Sequence, residues 1–304
     1  MAIRKPMKAE DFVQEKLVFP YFASVKLDGY RAFVEDGVLL TSSGKPVSNE
    51  YTQYLFGRPE FNGLDGELIV GGYNDKRAFW NTSGPVRRVN GEPDVRWYIF
   101  DDRTRPSDTF VNRSQDACRR VEQAKGHKIL PDSNRIESLF QQMVLTLEDL
   151  LEFERSAIAS GFEGVMLRSP EGPYKFGRST LAENYLLKVK RFITEEAVIT
   201  GYVEQMENLN ESFIDELGRS KKAQDKDMLR STGMIAAFIV ESSKWPKPFN
   251  ISATSLSHEE RREAYLNFNS MYGQKLARFK YFPHGVVDVP RHGVFEAIRG
   301  EEDL

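Results

Sequence analysis

The chain has 304 residues, 40% hydrophobic and 29% charged, with a formal net charge of −3. That is the composition of a globular protein long enough for two modest domains, and no apolar run approaches the roughly 20 residues of a membrane-spanning helix. One cysteine, Cys118, excludes an intrachain disulfide and any zinc site built on several thiolates.

The N-terminus, Met1-Ala2-Ile3-Arg4-Lys5, has no apolar signal region, so a cytoplasmic protein with no membrane segment is expected. The first twenty residues are irregular and punctuated by Pro6 and Pro20. Strands are predicted at 22–26, 31–35 and 38–41, with Asp28-Gly29 and Asp36-Gly37 as turns. Further strands are predicted at 63–70 and 95–100, and a helix at 111–124.

A second helix is predicted at 146–160. Thr146 and Asp149 form a capping box, Leu147, Leu150, Leu151 and Ile158 share one face, and Gly161 closes it. Short strands at 164–168 and 185–190 complete an α+β domain spanning 1–192. Strands at 197–203, 233–241, 275–281 and 294–298, with one helix at 258–267, then fit an OB-fold β-barrel at 193–304. The connection at 208–231 is long, polar and charged; function and disorder both suit such a loop.

Residues 168–191 carry six basic residues, Arg168, Lys175, Arg178, Lys188, Lys190 and Arg191, against Glu171 and Glu183. A nucleic-acid binder needs such a local positive surface rather than a basic total, though a solvated face is the plainer reading.

Five strings carry chemistry. Lys26-Leu27-Asp28-Gly29-Tyr30-Arg31 sets a lysine at a strand end beside a tight turn. Such an amine is nucleophilic when neutral, a state that burial and neighbouring cations favour. Leu64-Asp65-Gly66-Glu67-Leu68 and Glu163-Gly164-Val165-Met166-Leu167-Arg168 each place a carboxylate at a strand start. Trp97-Tyr98-Ile99-Phe100-Asp101-Asp102 ends a strand on an aromatic. Leu187-Lys188-Val189-Lys190 sets two lysines on one strand face.

In this order and spacing the strings resemble the nucleotidyltransferase motifs of ATP-dependent DNA ligases and mRNA capping enzymes. The resemblance covers about residues 22–300. It implies an antiparallel-sheet nucleotidyltransferase (ATP-grasp-like) domain followed by the OB-fold. It also implies ATP as AMP donor, Mg2+ or Mn2+, and nicked double-stranded DNA as partner, in a monomer. Lys26 would be the nucleophile, and Lys188 and Lys190 would cradle the α-phosphate. Glu163, with Glu67, would hold the metal. Arg31 and Glu67 would hold the ribose, Phe100 would stack on adenine, and backbone near Ser24 and Val25 would read its edge.

Lys188-Val189-Lys190-Arg191-Phe192 and Tyr174-Lys175-Phe176-Gly177-Arg178 are similar to ligase segments rather than capping-enzyme ones. Arg291-His292-Gly293-Val294-Phe295, leading to Arg299 and residues 300–303, resembles the closing motif of small phage-type ligases. By that likeness Arg178 and Arg299 join the nucleotide site, and Arg168, Lys175 and Arg291 the DNA contact. The strand-rich C-terminal part counts against an RNA ligase. The single cysteine and the 25 residues before Lys26 count against an NAD-dependent ligase.

Two departures stand out. Thr41-Ser42-Ser43-Gly44 has Ser42 where many ligases carry an arginine for the nick phosphate, leaving Arg87, Arg88 and Arg113 as candidate substitutes. Gly293 replaces a common proline. An RNA ligase, a capping-type guanylyltransferase and an inactive nucleic-acid-binding relative remain alternatives.

Overall fold

Alternation of side chains along short strands decides where the cleft of this protein lies. The computed structural model describes residues 4–214, 220–223, 225–286 and 288–299. It divides into two units, Met1–Lys190 and Arg191–Leu304.

The first unit contains β1 (Glu10–Asp11), β2 (Tyr21–Val25), β3 (Tyr30–Glu35), β4 (Val38–Thr41), α1 (Glu50–Phe56), β5 (Leu64–Val70) and α2 (Ala78–Arg87). It continues with β6 (Val95–Asp102), α3 (Phe110–Gly126), β7 (Ile136–Ser138), β8 (Gln142–Val144), α4 (Leu147–Ala159), β9 (Val165–Arg168) and β10 (Leu186–Val189). They form two five-stranded sheets, ordered β1-β10-β9-β2-β8 and β4-β3-β5-β6-β7. Only β1–β10 and β6–β7 among these ladders are parallel.

In β2, β9 and β10, Tyr21, Ala23, Val165, Leu167, Leu187 and Val189 pack with Leu150 and Ala157 of α4. Their neighbours Ser24, Met166, Arg168, Leu186 and Lys188 face the cleft instead. The second sheet repeats this division. Ala32, Leu68, Trp97 and Ile99 enter a core with α1 and α3, while Arg31, Glu67 and Phe100 face the cleft.

Most predicted strands recur with shifted ends. The capping box of α4 is present in both directions, Asp149 N to Thr146 Oγ1 and Thr146 N to Asp149 Oδ2. Leu150 is buried, but Ile158 is 50% exposed, because Ala157 takes the core position in the last turn. α1, α2, β7 and β8 add to the expected set. α2 carries Gly84 and Pro85 inside it, residues whose poor helix propensity conceals the element.

The second unit has β11 (Ile193–Asn208), β12 (Ser212–Ile214), β13 (Ser220–Lys222), β14 (Leu229–Glu241), β15 (Phe249–Ser252), α5 (His258–Leu266), α6 (Phe268–Met271), β16 (Leu276–Phe282) and β17 (Arg291–Ile298). Ladders β11–β14, β14–β15, β15–β17, β17–β16 and β16–β11 close a five-stranded barrel. β15 meets β17 in parallel, and α5 intervenes between β15 and β16, the arrangement of an OB-fold. Bulges along β11 let one long strand serve two neighbours while it curves. Phe238, Phe279 and Phe295 fill the barrel.

The long connection expected at 208–231 is shorter here: β11 runs to Asn208, β14 begins at Leu229, and β12 pairs with β13 between them. Residues 215–219 and 224 lie outside the described residues, as do positions 300–303 of the closing motif. Among the described residues, no helix is long and apolar enough to cross a membrane.

Candidate active site

Lys26 sits one residue past the end of β2, where the chain leaves the sheet toward the Asp28-Gly29 turn. Its backbone N–H donates to the Gly164 carbonyl at 2.8 Å, extending the β2–β9 pairing by one step. Glu163 therefore stands beside Lys26, although 137 residues separate them in sequence. Glu163 is buried, and its Oε2 accepts a hydrogen bond from Lys26 Nζ while its Oε1 pairs with Lys190 Nζ.

Burial works to raise the Glu163 carboxyl, but the ammoniums of Lys26 and Lys190 hold it below the usual carboxylate range. Lys190 is pulled below the usual lysine range, first by burial and then by the Lys26 cation. The three groups form one coupled charge cluster.

The cleft beside them, about 350 Å3, is lined by Ser24, Val25, Lys26, Arg31, Glu67, Phe100, Arg168, Arg178 and Lys188. Lys188 pairs with Asp11 at 3.3 Å. Arg178 donates to the Ala9 carbonyl at 2.8 Å. Phe100 is partly buried, with the guanidiniums of Arg31 and Arg168 at 5.1 and 4.9 Å from its ring centre. The carboxyl of Glu67, opposite Arg31 in the β3–β5 register, is pushed up to about 8, chiefly by burial, against the pull of Lys26 and Arg31.

Beneath this layer lies a buried polar ring. Arg31 Nε and Nη2 donate to Asp65 Oδ1 and Oδ2 at 3.0 and 2.6 Å, and Nη1 donates to the Met7 carbonyl at 2.6 Å. The Tyr174 hydroxyl donates to Asp65 Oδ2 at 2.5 Å and accepts from Met7 N at 3.2 Å. Burial opposes the Arg31 charge, yet Asp65 more than offsets it and keeps the guanidinium fully charged. Burial, with Asp65 beside it, pushes the Tyr174 phenol far above its ordinary range, so it acts as a neutral donor.

Three sequence expectations need correction. Arg168, expected at the DNA contact on an exposed basic run, lines the cleft wall at only 3% exposure, with Nη1 on Asp101 Oδ2 at 3.1 Å. Arg113 cannot replace the arginine missing at Ser42, because it is 2% exposed and bonded to Asp101, the Asp108 carbonyl and the Gly172 carbonyl. The basic run at 168–191 is accordingly not one solvated face.

Ser42 lines the cleft, Arg88 is exposed at the end of α2, and Arg87 lies over the Tyr30 ring at 5.4 Å. Lys175 is partly buried and bonds both oxygens of Glu183 at 2.7 Å. In the second unit Arg299 Nε pairs with Glu196 at 2.5 Å, and Arg291 opens β17 opposite Phe282.

Sequence reading missed Asp65, Asp101, Tyr174 and Lys8. Asp65 was findable, since it lies two residues before Glu67 on the same strand face. Lys8, in an irregular stretch, carries no local signal.

A magnesium ion would find two carboxyls here, Glu67 and Glu163, and the latter already serves two ammoniums. Among the described residues no three His, Cys, Asp or Glu side chains cluster as a cation cage. Two carboxylates completed by substrate phosphate oxygens is an ordinary magnesium arrangement, so the residues fit a metal that arrives with a nucleotide.

No family model matches the chain. Two crystal structures of Chlorella virus DNA ligase-adenylate are similar to it. One is 31% identical, covering 99% of this chain and 100% of that one with a TM-score of 0.53. The other is 28% identical, covering 98% and 100%, with a TM-score of 0.55. A structure from work on Lig E DNA ligases, 21% identical over 98% and 100% of the chains, has a TM-score of 0.67 and supports the fold. A DNA ligase of Haemophilus influenzae is 26% identical over 181 residues, 59% of this chain and 61% of that protein's length. Two sheets flanking a lysine-bearing cleft, joined to an OB-fold, define a nucleotidyltransferase architecture. The chain belongs to the family of small ATP-dependent DNA ligases.

Proposed function

We propose that this chain is an ATP-dependent DNA ligase that seals 5′-phosphate/3′-hydroxyl nicks in duplex DNA through a lysyl-AMP on Lys26 and a DNA-adenylate. The observation that carries the reading is Lys26 itself: an amine on the cleft wall, bonded to Glu163 and backed by Lys190.

In the first step Lys26 Nζ attacks the α-phosphorus of ATP. The amine attacks in its neutral form, its first proton having passed to solvent. A P–N bond forms, the bond to pyrophosphate breaks, and Glu163 Oε2 is placed to accept the second proton that Nζ then sheds. Lys188 and Lys190 neutralise charge on the α-phosphate, Phe100 offers a ring for adenine, and Arg31 and Glu67 hold the ribose. Glu163 and Glu67 would hold magnesium, or manganese, which neutralises phosphate charge when bound.

In the second step an oxygen of the DNA 5′-phosphate attacks the AMP phosphorus and Lys26 leaves with its proton restored. In the third, the 3′-hydroxyl attacks the 5′-phosphorus and AMP departs. The enzyme would work as a cytoplasmic monomer. The second unit would supply Arg299 for pyrophosphate and Arg291 for the duplex.

The test is sealing of a nicked duplex with ATP and magnesium, with nicked RNA and GTP as parallel substrates. Joined DNA with a transient adenylated strand is expected. Dependence on GTP, or joining of RNA alone, would replace this reading by a guanylyltransferase or an RNA ligase. DNA binding with no label transfer would make the chain an inactive relative.

A further inference from the structure

Among the described residues, six cationic side chains line the cleft: Lys8, Lys26, Arg31, Arg168, Arg178 and Lys188. Five have carboxylate partners. Lys26 has Glu163, Arg31 has Asp65, Arg168 has Asp101, Lys188 has Asp11, and Arg178 lies 4.0 Å from Glu10. Lys8 differs. Among the described residues its ammonium has neither an ion-pair nor a hydrogen-bond partner, and the residue is exposed.

Its backbone, by contrast, is fixed. Lys8 N donates to the Gly177 carbonyl at 2.7 Å, and Ser179 N donates to the Lys8 carbonyl at 2.8 Å. This isolated parallel bridge pins Lys8 against Arg178, and Met7 just before it is held by Tyr174 and Arg31. A cation on a backbone fixed to the cleft wall, with no internal counter-charge, is arranged for an anion that comes from outside. Among the described residues, Glu67 is the only acidic side chain lining the same cleft.

We propose that Lys8 is a substrate-binding residue that contacts a phosphate group at the edge of this cleft, beside Arg178. The inference rests on the nucleotidyl-transfer reading above, and the phosphate has two possible sources: the β,γ-phosphates of ATP, or the 5′-phosphate of a nick. Both offer the same chemistry, a multiply charged phosphoryl group that a lysine engages as a point charge.

Equilibrium binding separates the sources and does not depend on turnover. Titrations of the full chain, Lys8→Ala and Lys8→Arg would use ATP, AMP, and nicked duplexes ending in 5′-phosphate or 5′-hydroxyl. If the contact is to ATP, Lys8→Ala reduces the preference for ATP over AMP roughly tenfold and leaves DNA discrimination intact. If it is to DNA, the preference for the 5′-phosphate nick falls by a similar factor instead. In either case Lys8→Arg restores most of the difference. Both preferences unchanged in Lys8→Ala would overturn the proposal. Label transfer from ATP by the wild-type chain, measured alongside, reports separately on the ligase reading.

Discussion

Glu163 Oε2 accepts a hydrogen bond from the Nζ of Lys26, and its other oxygen serves Lys190. One buried carboxylate thus holds the Lys26 amine and a neighbouring cation together. Glu163→Gln leaves the shape but removes the charge between two ammoniums. Formation of the covalent adenylate should then fall about 100-fold or more, as expected when a reacting group is misplaced by small distances. Single-turnover label transfer at saturating ATP measures this, and a rate within a few-fold of wild type would remove Glu163 from the chemistry.

The Arg31–Asp65–Tyr174–Met7 ring should matter for folding as much as for binding. Asp65→Ala leaves a partly buried guanidinium, 19% exposed, without its carboxylate, a change that costs about 3 kcal/mol. Tyr174→Phe removes one hydroxyl and leaves one Asp65 lone pair short, costing about 1–3 kcal/mol. Denaturant unfolding of the two variants should preserve that order. Equal, sub-kilocalorie effects would show that the ring contributes little.

The Glu67 carboxyl titrates near 4.5 when free and at about 8 in the folded chain without substrate. Its buried neutral form contributes stability that is complete below about 4.5 and lost as the pH rises through about 8. Glu67→Gln is neutral at every pH. Its melting temperature relative to wild type should therefore climb between pH 5 and pH 9, by an amount on the order of a few kcal/mol in stability. A difference that stays flat across that range would mean that the folded carboxyl is already ionised.

Gly164 holds φ at +156°, and a Cβ there would lie 2.3 Å from the Val189 carbonyl oxygen. The same residue's carbonyl accepts from Lys26 N. Gly164→Ala should cost roughly 1–3 kcal/mol and slow adenylate formation, because relief of the clash moves both Glu163 and Lys26. Unfolding and label transfer on one preparation would check it; a variant normal in both would show that this backbone has room to give.

Strand alternation made much of the first unit legible, because residues two apart share a face whatever the tertiary context. It put Lys188 and Lys190 on one strand face, whereas the gathering of Lys26, Glu67 and Phe100 with them was implied by the family resemblance. What the pattern could not reveal was burial. Arg168 belongs to a basic run and reads as surface, yet Asp101 and Phe100 enclose it, and Arg113 is hidden by the same aspartate. A charged side chain looks alike in sequence whether it faces water or a buried partner. Lys8 was invisible for a different reason: its position depends on a backbone bridge to residues 177–179, far along the chain. In the second unit β15 escaped notice because Pro246 and Pro248 precede it like a loop.

Mapping the covalent nucleotide tests the central claim most directly. After incubation with ATP and magnesium, the denatured chain would be digested and its adenylylated peptide sequenced by mass spectrometry. AMP is expected on Lys26 in the wild type, absent from Lys26→Ala, and released when pyrophosphate is added before denaturation. Attachment to any other side chain, or undiminished labelling of Lys26→Ala, would contradict the account.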